Sequence, residues 1–158
     1  MIQRKTVMTL IALSAMLMLV SPAQSIEKIK PNAQGLKLVT ALLKALSIQN
    51  PEKRVAAVLP LVHKSLRNSD GSDLDGNIKR YSYKKAWQNV KFYSIPAQIY
   101  EVHKGRSVGI GFRETAERGR KDKYFVKKKP GIPGRPAPII IFWPESGGAP
   151  SVVNMGSL

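Results

Sequence analysis

The sequence predicts an α+β domain with two or three N-terminal helices packed on a curved, cone-like antiparallel sheet. Three observations carry this. Apolar residues recur every three or four positions from Leu36 to Leu66. From about Val90 the recurrence changes to alternation, the period of a strand. Near the end, Gly147-Gly148 separates two apolar runs and offers the positive φ that a hairpin needs. Helices first and strands afterwards place the helices on one face of the sheet.

Ile26–Pro31 reads as a flexible lead. Asn32 caps a helix to about Ile48, whose stripe is Leu36, Val39, Leu42, Leu43 and Leu46; Gly35 weakens its start. Asn50-Pro51-Glu52 starts a second helix, with a capping amide, a proline whose φ is preset, and an acid at the positive end of the dipole. Its apolar face is Val55, Val58, Leu59, Val62 and Leu66. Pro60 either kinks this helix or ends it near Leu59.

Residues 68–77 form a polar loop rich in Asp, Asn, Ser and Gly. A short helix or turn over Ile78–Asn89 places Tyr83 and Trp87 four apart. Strands are expected at Ile95–His103, with Lys104-Gly105 as a turn, then at Val108–Phe112 and at Lys123–Lys129. The Pro/Gly-rich stretch from Pro130 to Pro138 leads to Ile139–Trp143, and Ser151–Met155 returns after the Gly147-Gly148 turn.

This order of helices and a long meander resembles the cone-shaped nuclear-transport-factor-2-like (cystatin-like) superfamily over roughly residues 32–158. The resemblance rests on element order and on the two long strands around Gly147-Gly148. It implies a sheet wrapped around a pocket that holds a small molecule or an isomerase- or cyclase-like site. A cystatin fold, with one helix on a meander, is the neighbouring alternative.

Residues 1–25 read as a secretory signal peptide. Arg4 and Lys5 precede an apolar run from Val7 to Val20, Ser21-Pro22 breaks it, and Ala23-Gln24-Ser25 sets small residues around a cleavage point. A retained anchor is the rival, but a span takes about 20 apolar residues, and the run has 14. Cleavage leaves 133 of the 158 residues, one domain with no transmembrane span, exported to the periplasm or secreted. Only two basic residues go with it, so the formal charge falls from +16 to +14. The chain has no cysteine, which excludes disulfides and a thioether-linked lipid.

Such a charge favours anionic partners: an anionic lipid, a glycan or an acidic protein, with nucleic acid disfavoured by export. Two clusters supply it. One is Lys79, Arg80, Lys84, Lys85 and Lys91, interleaved with Tyr81, Tyr83, Trp87 and Phe92. The other runs from Arg113 to Arg135 and contains Arg118, Arg120, Lys121, Lys123, Lys127, Lys128 and Lys129, with nine basic residues against three acids. Aromatics amid cations stack on sugars or bases, or sit at a lipid interface. The plainer alternative has Lys127–Lys129 guarding a strand edge and the aromatics filling the core.

Catalytic and metal motifs are missing. Asp73-Leu74-Asp75-Gly76 resembles part of a calcium loop, but Gly71 and Ser82 stand where ligating acids belong, so no metal is expected. His63 and His103 have no zinc-ligand spacing. Gly109-Ile-Gly111 lacks the third glycine of a dinucleotide loop, no Gly-x-Ser-x-Gly elbow occurs, and no cofactor is implied. Glu101, Glu114 and Glu117 are the carboxylates available for acid–base work, the last two beside arginines that pair with them more simply. If the cone holds a pocket, Tyr100, Glu101, Val102, His103 and Phe112 are its candidates. The sequence favours a non-enzymatic binding domain over an enzyme and leaves ligand and oligomeric state open.

Overall fold

The computed structural model describes residues 26–111 and 116–158. The leader, Phe112, Arg113 and Glu114 lie outside the described residues. The fold class is as the sequence predicts: helices on an open, antiparallel six-stranded sheet.

Helix α1 spans Ala33–Leu46. Asn32 Oδ1 accepts from the Gln34 amide at 2.7 Å and satisfies one donor that the first turn leaves free. At its end Ser47 Oγ donates back to the Leu43 carbonyl at 2.8 Å. Pro51 bars the residue before it from helical geometry, so Asn50 is extended and starts the next helix instead. There its Oδ1 accepts from the Lys53 amide at 2.9 Å, and α2 runs Pro51–Val58.

Pro60 has no amide hydrogen with which to continue α2. The chain tightens into a 3₁₀ turn, Leu59–Leu61, then becomes extended at Val62 and bridges Val152 in parallel. Of the two readings of Pro60, the helix ends.

A third helical run follows the polar loop. Asp75 caps α3, Gly76–Ile78; a π-turn at Lys79–Tyr83 leads into α4, Lys84–Asn89, and a 3₁₀ turn at Val90–Phe92 closes it. Inside the loop Asp70 accepts from Ser72, and Asp73 holds Lys79 Nζ at 2.6 Å. These carboxylates serve donors of the loop and of the turn that follows it.

The strands are β1 Lys28–Ile29, β2 Ile99–His103, β3 Ser107–Ile110, β4 Glu117–Val126, β5 Ala137–Pro144 and β6 Ser151–Asn154. The order is β1-β2-β4-β5-β6, with β3 also paired to β4. Gly147, at φ 81°, sits in the turn joining β5 to β6.

Three expectations are corrected. Ile26–Pro31 is not a free lead: Lys28 and Ile29 pair with His103 and Val102, and the Lys104 amide reaches Glu27 O at 2.9 Å. Lys104-Gly105 is not a hairpin turn. β2 and β3 run in one direction along the same side of β4, and residues 104–106 are an interruption between them. Lys127–Lys129 leave the strand, since β4 ends at Val126; the Lys127 and Lys129 amides bond to Gln98 O and Phe92 O.

Alternation along β4 sorts the two faces. Asp122, Tyr124 and Val126 are buried on the helix side; Lys123 is exposed on the other. Val39, Leu42, Leu43 and Leu46 from α1, with Val58 and Val62, fill the layer against Tyr124, Ile139, Ile141 and Val152. Burying each of the leucines is worth about 1.5–3 kcal/mol. Leu36, assigned to the stripe by period, is 37% exposed. Gly35 has a packing role in place of a weakening one: the Tyr124 hydroxyl rests where a Cβ would be.

Candidate functional site

The interruption between β2 and β3 is built from below. On the helix face Asp122 is fully buried, and Arg120 clamps it with Nε on Oδ1 at 2.9 Å and Nη2 on Oδ2 at 3.0 Å. The same Oδ1 accepts the Gly105 amide at 3.0 Å. The hydrogen bond to Asp122 holds the Arg120 guanidinium pKa above its ordinary value. Gly105 lies against the Lys121 carbonyl so closely that no Cβ has room. The buried Asp122 carboxylate thus pins a bulge, and the bulge projects Lys104 and Arg106.

These two meet Lys121 and Lys123, which alternation on β4 sends to the outer face. Together with Ile26, Glu27 and His103 they line a cleft of about 510 Å³. Four permanent cations face one carboxylate there, and Glu27 is already held by Lys104 Nζ at 2.9 Å. His103 stands at one wall. Its Nε2 lies 2.8 Å from Glu101 Oε1, and its ring packs on Phe125 with centroids 4.6 Å apart. Lys28 Nζ takes the other Glu101 oxygen at 2.6 Å, and this bond, with the one to His103, holds the Glu101 pKa below its ordinary value. The cleft is therefore an anion-attracting concavity with its nearest acids already engaged.

The remaining predicted residues divide. Arg80, Lys84 and Lys85 line a shallow groove of about 310 Å³ beside the exposed Tyr81. Lys85 also reaches a cleft of about 250 Å³ shared with Lys128 and Arg135, where the two basic clusters meet. Lys128 Nζ donates to Pro133 O at 2.8 Å. Lys127 stands 5.9 Å from the Tyr100 ring, and Arg118 and Lys129 are exposed. Lys79 and Arg120 are engaged by Asp73 and Asp122.

The pocket candidates do not converge. Val102 is buried beneath the helices, Glu101 and His103 pair on the opposite face, and Tyr100 is 59% exposed. Alternation separates Val102 from Glu101 and His103, the register of β2 is irregular at Ile99–Glu101, around Tyr100, and side chains pack the layer in which a cone would hold its ligand. Burial raises the phenol pKa values of Tyr93 and Tyr124.

Sequence reasoning missed Lys104 and Arg106 because their stretch reads as a turn, and Glu27 because Ile26–Pro31 reads as a flexible lead. The signal present was a glycine flanked by two cations. Alternation does set His103 beside Glu101, as the structure has it, but nothing in the sequence partners His63. His63 is buried, with Nδ1 accepting the Ser65 amide at 3.1 Å and lying 2.8 Å from Ser65 Oγ, and Nε2 3.3 Å from Glu117 Oε2. This is a serine–histidine–carboxylate contact order. But His63 caps the turn Lys64–Leu66 and packs edge-on against Phe142, and none of the clefts described above reaches it. It is a clasp between that turn and β4. Among the described residues no three His, Asp or Glu side chains gather as a metal site, and no helix is long and apolar enough to cross a membrane.

Comparison with protein-family models, curated proteins and solved structures returns no match, so the geometry of the clefts carries the functional reading alone.

Proposed function

We propose that this chain is a non-enzymatic binding domain of the cell envelope or extracellular space that engages an anionic partner through the basic cleft at the β2–β3 interruption. The observation that supports it most is the convergence of Lys104, Arg106, Lys121 and Lys123 on one concavity. Two of these come from a bulge held by the buried Asp122 carboxylate, which Arg120 clamps from the surface, so the charges are displayed on a fixed frame. Export is supported by the three-part pattern of residues 1–25. The helices-then-sheet order supports kinship with the cone-shaped superfamily in architecture. Against a ligand inside the cone stands the packed layer of Val39, Leu42, Tyr124 and Ile139.

Retention of the full mature chain on heparin, on phosphatidylglycerol vesicles and on polyglutamate tests the reading and separates glycan, lipid and acidic-protein partners. Binding through exposed charges weakens steeply as salt rises. Changing Lys104, Arg106, Lys121 and Lys123 together to Ser should abolish salt-sensitive retention on the preferred matrix, while Lys127, Lys128 and Lys129 to Ser should reduce it less. Salt-independent retention, or an unaffected fourfold variant, would overturn the proposal.

A further inference from the structure

Arg54 is a cation where charge is expensive. It lies on α2, is 6% exposed, and has no carboxylate partner among the described residues. A buried charge persists only when its hydrogen bonds are met. Its Nε donates to Tyr83 Oη at 2.9 Å, and Nη1 donates to Ile48 O at 2.8 Å and to Gln49 O at 3.4 Å. The guanidinium lies over the Trp87 ring, 4.4 Å from its centroid. These contacts use Nε and Nη1. Nη2 has no protein acceptor among the described residues, and it is not one of the polar atoms sealed away from solvent.

The surface to which Arg54 contributes is a cleft of about 520 Å³ between the end of α1 and α4. That volume is within the usual range of about 300–1,000 Å³ for small-molecule sites. Leu46, Val90 and Phe92 supply apolar wall, Gln49 and Gln88 supply amides, and Lys91 brings a second cation; no acid lines it. Charge without a counter-charge, beside apolar wall and inside a concavity, describes one kind of ligand.

We infer that this cleft binds a small organic carboxylate with an apolar body, received by Arg54 Nη2 with Lys91 adding charge. A carboxylate suits the site better than a phosphate dianion, because one free guanidinium nitrogen and one lysine offer few donors. The inference is independent of the basic cleft on the sheet, which shares none of these residues.

The chain has two tryptophans, so Trp143→Phe leaves Trp87 as the sole reporter. In that background, cyclohexanecarboxylate should shift Trp87 emission saturably and cyclohexanecarboxamide should not. Arg54→Gln should weaken the acid about tenfold or more, and Lys91→Ala about threefold, each checked for folding by circular dichroism. The inference fails if the amide titrates as well as the acid, if inorganic phosphate binds as tightly, or if the acid gives no saturable change through the millimolar range. Should Arg54→Gln not fold, the lysine variant decides: unchanged affinity in Lys91→Ala overturns the inference, and a threefold loss upholds it.

Discussion

Replacing Asp122 by Ala removes the carboxylate that joins Arg120 to the bulge. Three hydrogen bonds go, two from Arg120 and one from the Gly105 amide. Arg120 is 40% exposed along its side chain and turns to water, so its share is small. The Gly105 amide is part-buried and keeps no partner, a penalty of about 1–3 kcal/mol. The space left by a fully buried carboxylate adds about 1 kcal/mol. The expected loss is about 2–4 kcal/mol, read from urea unfolding followed by circular dichroism. In a domain of this size that corresponds to a fall in Tm of about 10 °C. Because the bulge loosens, retention on the anionic matrix should also fall, although no cation of the cleft has been changed. A stability change under about 0.5 kcal/mol would refute the view that this pair organises the site.

Three further outcomes are expected. Gly35→Ala should destabilise by about 1–3 kcal/mol despite alanine's better helix propensity, because its Cβ meets the Tyr124 hydroxyl. In a Tyr124→Phe background that cost should shrink without vanishing, since the ring Cζ still stands 2.5 Å from the new carbon; a double-mutant cycle in denaturant measures it. Asn50→Ala should cost about 1 kcal/mol in the same assay, through loss of the α2 cap. Glu117 is held below its ordinary pKa of 4.5 chiefly by its hydrogen bond to His63. Its contribution is therefore complete above pH 4.5 and is lost as pH falls through the lower folded value. The stability difference between wild type and Glu117→Gln should narrow as pH falls below 4.5; a difference that does not change there contradicts the assignment.

The helical half is legible in the sequence because its determinants are local. Asn32, Asn50 and Pro51 cap or start a helix within a turn of themselves, and Val39, Leu42, Leu43 and Leu46 are buried as their spacing requires. The site is legible only in part. Lys121, Lys123 and His103 stand out by charge and alternation, but Lys104 and Arg106 join them through a contact of Gly105 with Asp122, 17 residues away. Nothing local separates a bulge of that kind from a turn. Likewise His63 and Glu117, or Arg54 and Tyr83, lie far apart in the chain, and only the packing of the layers brings them together. Leu36 shows the converse: its period is right, but it sits at the start of α1, beyond the layer's cover.

The bulge at residues 104–106 changes the strand's parity. Before it, residues 101 and 103 stand opposite Phe125 and Lys123; after it, residues 108 and 110 stand opposite Gly119 and Glu117. Odd residues share the face of Lys123 on one side of the break and even residues share it on the other. The segment behaves like a text whose reading frame shifts once. Deleting a single residue from 104–106 would restore one frame and turn Val108 and Ile110 to the wrong side of the sheet. The length of the bulge is therefore fixed more tightly than its composition, and variation at positions 104 and 106 can retune the charge of the cleft without rewriting the sheet.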